Sequence, residues 1–160
     1  MPSIADLCQD LPTATFEPGD VLLPQGETTG RLYILMDGEV EVVTGDFQIN
    51  RVSEPGAIFG DMSVLLGMPH MATVRALSRC TARVTADGDG FLQSHKEIAY
   101  HLARMLAQRL NGVTSYLVDL KRQFEDEKSH LGMVDEILET LTHQQLSRFS
   151  PGSDRDGPGY

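Results

Sequence analysis

FGDMSVLLGMPHMATVRA, residues Phe59 to Ala76, carries a turn, a short helix and a strand in immediate succession. Phe59-Gly60-Asp61-Met62-Ser63 opens the stretch as a glycine turn that feeds an apolar helical run, Met62 to Leu66. Pro69 is expected to end that run, because proline lacks the backbone donor that a helix needs. Ala72-Thr73-Val74-Arg75-Ala76 then reads as a strand, rich in β-branched residues. A glycine just ahead of a helix start leaves backbone N–H groups free to cradle an anion.

Upstream, short β-type runs alternate with turns. Val21-Leu22-Leu23 follows Glu17-Pro18-Gly19-Asp20; Leu32 to Met36 stops at Asp37-Gly38, a hairpin dipeptide, and Val40 to Val43 continues. Phe47 to Val52 alternates apolar and polar residues before Glu54-Pro55-Gly56, and Thr81 to Thr85 reads as the last strand. Strands at this spacing, separated by Gly and Pro turns, predict an antiparallel roll or sandwich over 13–86 behind a short N-terminal segment, 1–12.

Together these residues resemble the cyclic nucleotide-binding domain family, whose phosphate-binding cassette runs roughly F-G-E-x-A-L-L…P-R-x-A-T-V. Residues 59–76 match that cassette, and Gly19, Gly26, Gly38, Gly56 and Gly60 fall where the family has its turn glycines. The resemblance implies a mostly β fold, an antiparallel β-roll of jelly-roll type followed by one or more long helices. It also implies a cyclic nucleotide as the possible ligand, with the family's Glu on the ribose hydroxyl and its Arg on the cyclic phosphate, and makes Phe59, Gly60, Asp61, Met62, Ser63, His70, Met71 and Ala72 the candidate ligand-binding residues.

Here Asp61 stands in place of that Glu and His70 in place of that Arg. Arginine offers a permanently charged planar fork that pairs bidentately with phosphate oxygens. Histidine, with an ordinary pKa of about 6.5, is mostly uncharged near neutral pH. Met71 replaces a family Ser or Thr that often adds a second phosphate contact, and Asp61 is one methylene shorter than Glu. Loss of a charged partner costs about 2–5 kcal/mol in comparable interfaces. The expectation is a pocket impaired in cyclic AMP and cyclic GMP binding. The alternative is a sensor that uses His70, Asp61 and the backbone of Gly60 to Ser63. Arg75 and Arg79 could rescue anion binding or stand as outward-facing strand charges.

The formal net charge of −10 argues against sequence-independent DNA or RNA binding, which rests on Lys and Arg at phosphates. Lys121-Arg122 is isolated and is followed by Glu125-Asp126-Glu127. Cys8 and Cys80, unspaced and far apart, point to a reduced, cytoplasmic protein. The N-terminus carries no signal-peptide pattern, no run approaches a membrane span, and no membrane contact is expected.

After an expected loop at 86–90, Ser94-His95-Lys96-Glu97 has the spacing of a capping box that would start a helix. From there an apolar seam runs through Leu106, Leu110, Val113, Leu117, Leu120 and Phe124, then Leu131, Val134, Leu138 and Leu141. Its steps of three and four residues are those of a coiled coil, interrupted at Glu127. The segment 91–120 resembles the dimerisation helix of bacterial catabolite-activator-type regulators. That resemblance implies a homodimer built on helices within 87–146. A helix folding back at Gly132 is the competing arrangement, and 147–160 reads as a polar, disordered tail. The helix-turn-helix that follows the long helix in those regulators has no counterpart among the residues present, so no direct nucleic-acid contact is expected.

No catalytic constellation stands out. The five histidines show no H-x-H pair within the strands, and no G-x-S-x-G occurs. No metal and no certain cofactor are expected. The sequence thus points to a non-enzymatic regulatory or interaction module acting as a homodimer, with another regulatory protein as a possible partner. A purely structural dimeriser is the remaining alternative.

Overall fold

The computed structural model describes residues 3–124 and 128–144. They form two compact units that divide between Leu102 and Ala103. In the first, a one-turn helix α1 (Ile4–Leu7) precedes eight strands: β1 (Thr13–Phe16), β2 (Val21–Leu23), β3 (Leu32–Asp37), β4 (Val40–Thr44), β5 (Phe47–Val52), β6 (Ile58–Phe59), β7 (Thr73–Ala76) and β8 (Cys80–Thr85). Helix α2 (Asp61–Leu66) lies between β6 and β7, and α3 (Gly88–Ser94) follows β8.

The strands form two four-stranded antiparallel sheets, ordered β1-β8-β3-β6 and β2-β7-β4-β5. This is the antiparallel roll that the turn spacing predicts. One face of each sheet supplies the core: Leu22, Leu23, Tyr33, Leu35, Val40, Phe59, Val74, Ala76, Cys80 and Ala82 are buried together. Each large apolar side chain of this kind contributes about 1.5–3 kcal/mol on leaving water. Strand β3 is buried on both faces, since Leu32 and Ile34 are also fully enclosed. The Gly88 amide donates to Gly30 O at 2.8 Å, and a Cβ on Gly88 would press against Leu32 and Val64. The start of α3 is thereby seated on the start of β3.

Four local expectations are corrected. Asp37-Gly38 is not a hairpin, because β3 and β4 belong to different sheets; Gly38, at φ +98°, carries the chain from one sheet to the other. The hairpin in this region is β4–β5, turning through Gly45-Asp46. Helix α2 ends before Pro69, at Gly67, whose left-handed conformation closes the last turn with its N–H on Ser63 O. A helix does start within the Ser94–Glu97 stretch, at Lys96, but Ser94 is the last residue of α3 and its hydroxyl donates to Gly90 O. A further helix start lies within the expected 86–90 loop, where the Asp87 carboxylate accepts from the Gly90 amide at 3.0 Å.

The long helix α4 spans Lys96–Gln123, and its first turns bury Ile98 and Leu102. In the second unit the chain is helical again over α5 (Lys128–Glu139), followed by a π-helical turn, Thr140–Gln144. Gly132 lies inside α5 and does not end it. Lys121 pairs with Asp135 within this unit. The expected tail, 147–160, and the Glu127 interruption lie outside the described residues.

Candidate functional site

The cassette is placed by the sheets on either side of it. Phe59 pairs with Tyr33 across β6–β3 and is buried in the core, which fixes the entry to Gly60. Gly60 has φ +93°, and a Cβ there would collide with the Arg31 carbonyl oxygen. Only glycine meets both demands, the left-handed backbone and the close approach. Asp61 and Ser63, in the first turn of α2, are buried at 6% exposure each. The Ser63 hydroxyl donates to Met68 O, and the Met68 amide returns to Ser63 O at 3.2 Å. Ser63 is therefore engaged in closing the far end of its own helix.

His70 is the most constrained of the candidates. It is 4% exposed, and its ring Nε2 lies 2.8 Å from Thr29 Oγ1, a residue of the loop between β2 and β3. Its backbone is tied to the same loop twice: the Gly26 amide donates to His70 O and the His70 amide donates to Glu27 O, both at 2.9 Å. Burial pushes the imidazole pKa below its ordinary value, and the nearby Glu27 charge opposes that shift in part. The ring is thus held neutral at physiological pH, as a hydrogen-bonded member of the wall.

Met62 and Met71 are 40% and 49% exposed, whereas Phe59, Asp61, Ser63 and His70 are buried. Ala72 is half-buried beside β7. No lysine or arginine occurs between Phe59 and Val74. Arg75 is committed across the sheet: its Nε donates to Glu41 Oε2 at 2.7 Å, and its Nη2 bonds the same oxygen. Gln48 completes the cluster by donating to Glu41 Oε1 at 2.6 Å. These bonds, the Gln48 one foremost, hold the Glu41 carboxyl below the usual range. Arg79 pairs with Glu17 at 3.6 Å on the surface. Both arginines are engaged with carboxylates.

Thr29 was not legible as a site residue. It lies 41 positions from His70, in a loop with no periodicity, and only the sheet topology brings the two together. Among the described residues no cluster of His, Cys, Asp and Glu could hold a metal, and both cysteines are free thiols. No described helix is long and apolar enough to cross a membrane. On α4, Leu110 and Val113 are 38% and 51% exposed and Leu106, Leu117 and Leu120 are half-buried; Phe124, just past its end, is 39% exposed.

Comparison with known proteins bears on this arrangement. The profile of the family described as cyclic nucleotide-binding domain matches residues 13–93. A CRP-like cAMP-activated global transcriptional regulator of Mycobacterium tuberculosis is 28% identical over 125 residues, covering 74% of this chain and 55% of that protein. An uncharacterized ABC transporter ATP-binding protein of the same organism is 34% identical over 85 residues, 51% of this chain and 26% of its own length. Among solved structures, the N-terminal domain of a transcriptional regulator from Streptomyces coelicolor superposes with a TM-score of 0.51 at 26% identity, covering 68% of this chain and 82% of that one. The second cyclic nucleotide domain of a protein kinase A regulatory subunit, solved with Sp-2Cl-cAMPS, shares the fold with a TM-score of 0.56 at 24% identity, over 69% of this chain and 74% of that one. The chain spans a quarter to about half the length of these curated relatives. With its two sheets, its cassette between β6 and β7, and a profile match over half its length, the chain belongs to the cyclic nucleotide-binding domain family.

Proposed function

We propose that this chain is a non-enzymatic regulatory module whose cassette does not bind cyclic AMP or cyclic GMP with ordinary affinity, and that it works as a homodimer through α4. The observation that carries the first half is the state of His70. Where the family resemblance calls for a cation on phosphate, there is a buried imidazole, neutral by desolvation and already bonded to Thr29. The arginines nearest to it in sequence, Arg75 and Arg79, are paired with Glu41 and Glu17. An anionic phosphate would meet an uncharged imidazole at the position where the family pattern has a permanent cation. The half-exposed stripe on α4 supports the second half, because a row of large apolar groups left in water favours association.

The test is restoration. His70→Arg with Met71→Ser returns both phosphate-binding groups, and Asp61→Glu returns the longer ribose contact. The double variant is expected to gain cyclic nucleotide binding in a calorimetric titration, and the triple variant to gain more. A wild type that already binds as tightly as the variants would overturn the reading.

One observation favours a second reading, a genuine cyclic nucleotide sensor: the mycobacterial regulator that matches three quarters of the chain is cAMP-activated. Under that reading the backbone of Gly60 to Ser63 would hold the phosphate, and wild-type affinity would be insensitive to His70→Gln.

A further inference from the structure

The loop between β2 and β3 is fastened to the far side of the cassette by a set of hydrogen bonds centred on one titratable side chain. Gly26 N to His70 O, His70 N to Glu27 O and Gln25 N to Thr73 Oγ1 span 2.9, 2.9 and 3.0 Å. Gln25 Oε1 also accepts from Gly45 N at 3.0 Å, which ties the loop to the β4–β5 turn. The bond between His70 Nε2 and Thr29 Oγ1 is the member of this set whose donor and acceptor roles depend on a proton.

Thr29 Oγ1 accepts from the Arg31 amide at 3.2 Å and keeps a second lone pair and its O–H, so it pairs with either neutral tautomer of the ring. A second ring proton instead places a cation in an enclosure where His70 is 4% exposed, against the loop that supplies Thr29. Glu27, on the loop itself, acts on the ring and favours its proton, but less strongly than burial opposes it.

We infer that loop 24–30 is a proton-released strap, closed over the cassette while His70 is neutral and freed from residues 70–73 when His70 is protonated. A strap of this kind couples acidification to exposure of the segment between α2 and β7, whether or not the cassette takes a nucleotide. Burial favours the neutral ring in the closed form, whereas an open loop returns His70 to water and to its ordinary pKa of about 6.5. The opening equilibrium therefore rises by up to about tenfold between pH 7.5 and pH 5.5, the limit set by an open-state pKa near 6.5 and a closed form that does not protonate.

Amide hydrogen exchange of the full chain tests this, read at Gly26 and His70 and divided by the intrinsic rate at each pH. The expected result is a several-fold loss of protection at both amides in wild type over that pH range, with no such loss in His70→Gln, which keeps a hydrogen-bonding group that does not titrate. Equal pH dependence in the two proteins, or none in wild type, would overturn the strap. An NMR titration of the wild-type His70 ring needs no variant. A midpoint below the ordinary value supports the proposal, and one at or above it contradicts it.

Discussion

His70 Nε2 and Thr29 Oγ1 stand 2.8 Å apart, joining the residue after Pro69 to a loop 41 positions earlier. The bond gives the imidazole a partner from within the chain at the cassette position where a phosphate-binding arginine is expected. A buried polar group that already has its partner gains little from a new one, and losing it exposes an unmet donor or acceptor.

Stability should follow the same proton. Because burial sets the folded-state pKa of His70 below its ordinary value near 6.5, the unfolded chain binds this proton more readily. The contribution of neutral His70 is therefore fully present above about pH 6.5 and is lost progressively as pH falls from there through the folded value. Urea midpoints of wild type and His70→Gln, compared at pH 7.5 and 5.5, should show a larger acid loss in wild type. A difference independent of pH would mean that the ring does not titrate on unfolding.

Gly38 offers a test of the crossover between the sheets. A Cβ there would lie 2.7 Å from Cys80 Sγ and 2.8 Å from Cys80 Cα, on a backbone at φ +98°. Gly38→Ala should destabilise the first unit by more than about 1 kcal/mol, since strain and overlap add. Urea unfolding followed by far-ultraviolet circular dichroism measures it. An unchanged midpoint would require the Asp37–Gly38 turn to be mobile.

The α4 stripe predicts assembly. Leu117→Asp with Leu120→Asp should convert a dimer to a monomer in equilibrium sedimentation, because two carboxylates in an apolar seam cannot be desolvated without partners. A double variant that stays dimeric would move the contact onto the roll.

How much of this was readable in advance divides along a physical line. The β-roll was legible because its strands alternate or run apolar between Gly and Pro turns, and because the residues from Phe59 to Ala76 match a family pattern. Local signals fell short where tertiary packing set the outcome. Asp37-Gly38 has hairpin chemistry, yet Leu32 to Leu35 are buried in one sheet while Val40 begins the other. Ser94 and Glu97 have capping-box spacing and α4 does start at Lys96, yet Ser94 closes the separate helix α3 that Asp87 caps seven residues earlier. Gly67, with its left-handed φ of +64°, ended α2 before Pro69 could. At the site, the replacement of Arg by His was visible in the sequence, but Thr29 was not. A bond spanning two loops leaves no periodic trace.

The central claim is that the native cassette lacks a charged grip on a cyclic phosphate. Isothermal titration of the wild-type chain near neutral pH with cyclic AMP and with cyclic GMP tests it most directly. The account predicts no binding at micromolar or tighter affinity for either nucleotide. A clean isotherm with a micromolar or lower Kd for either one would contradict it.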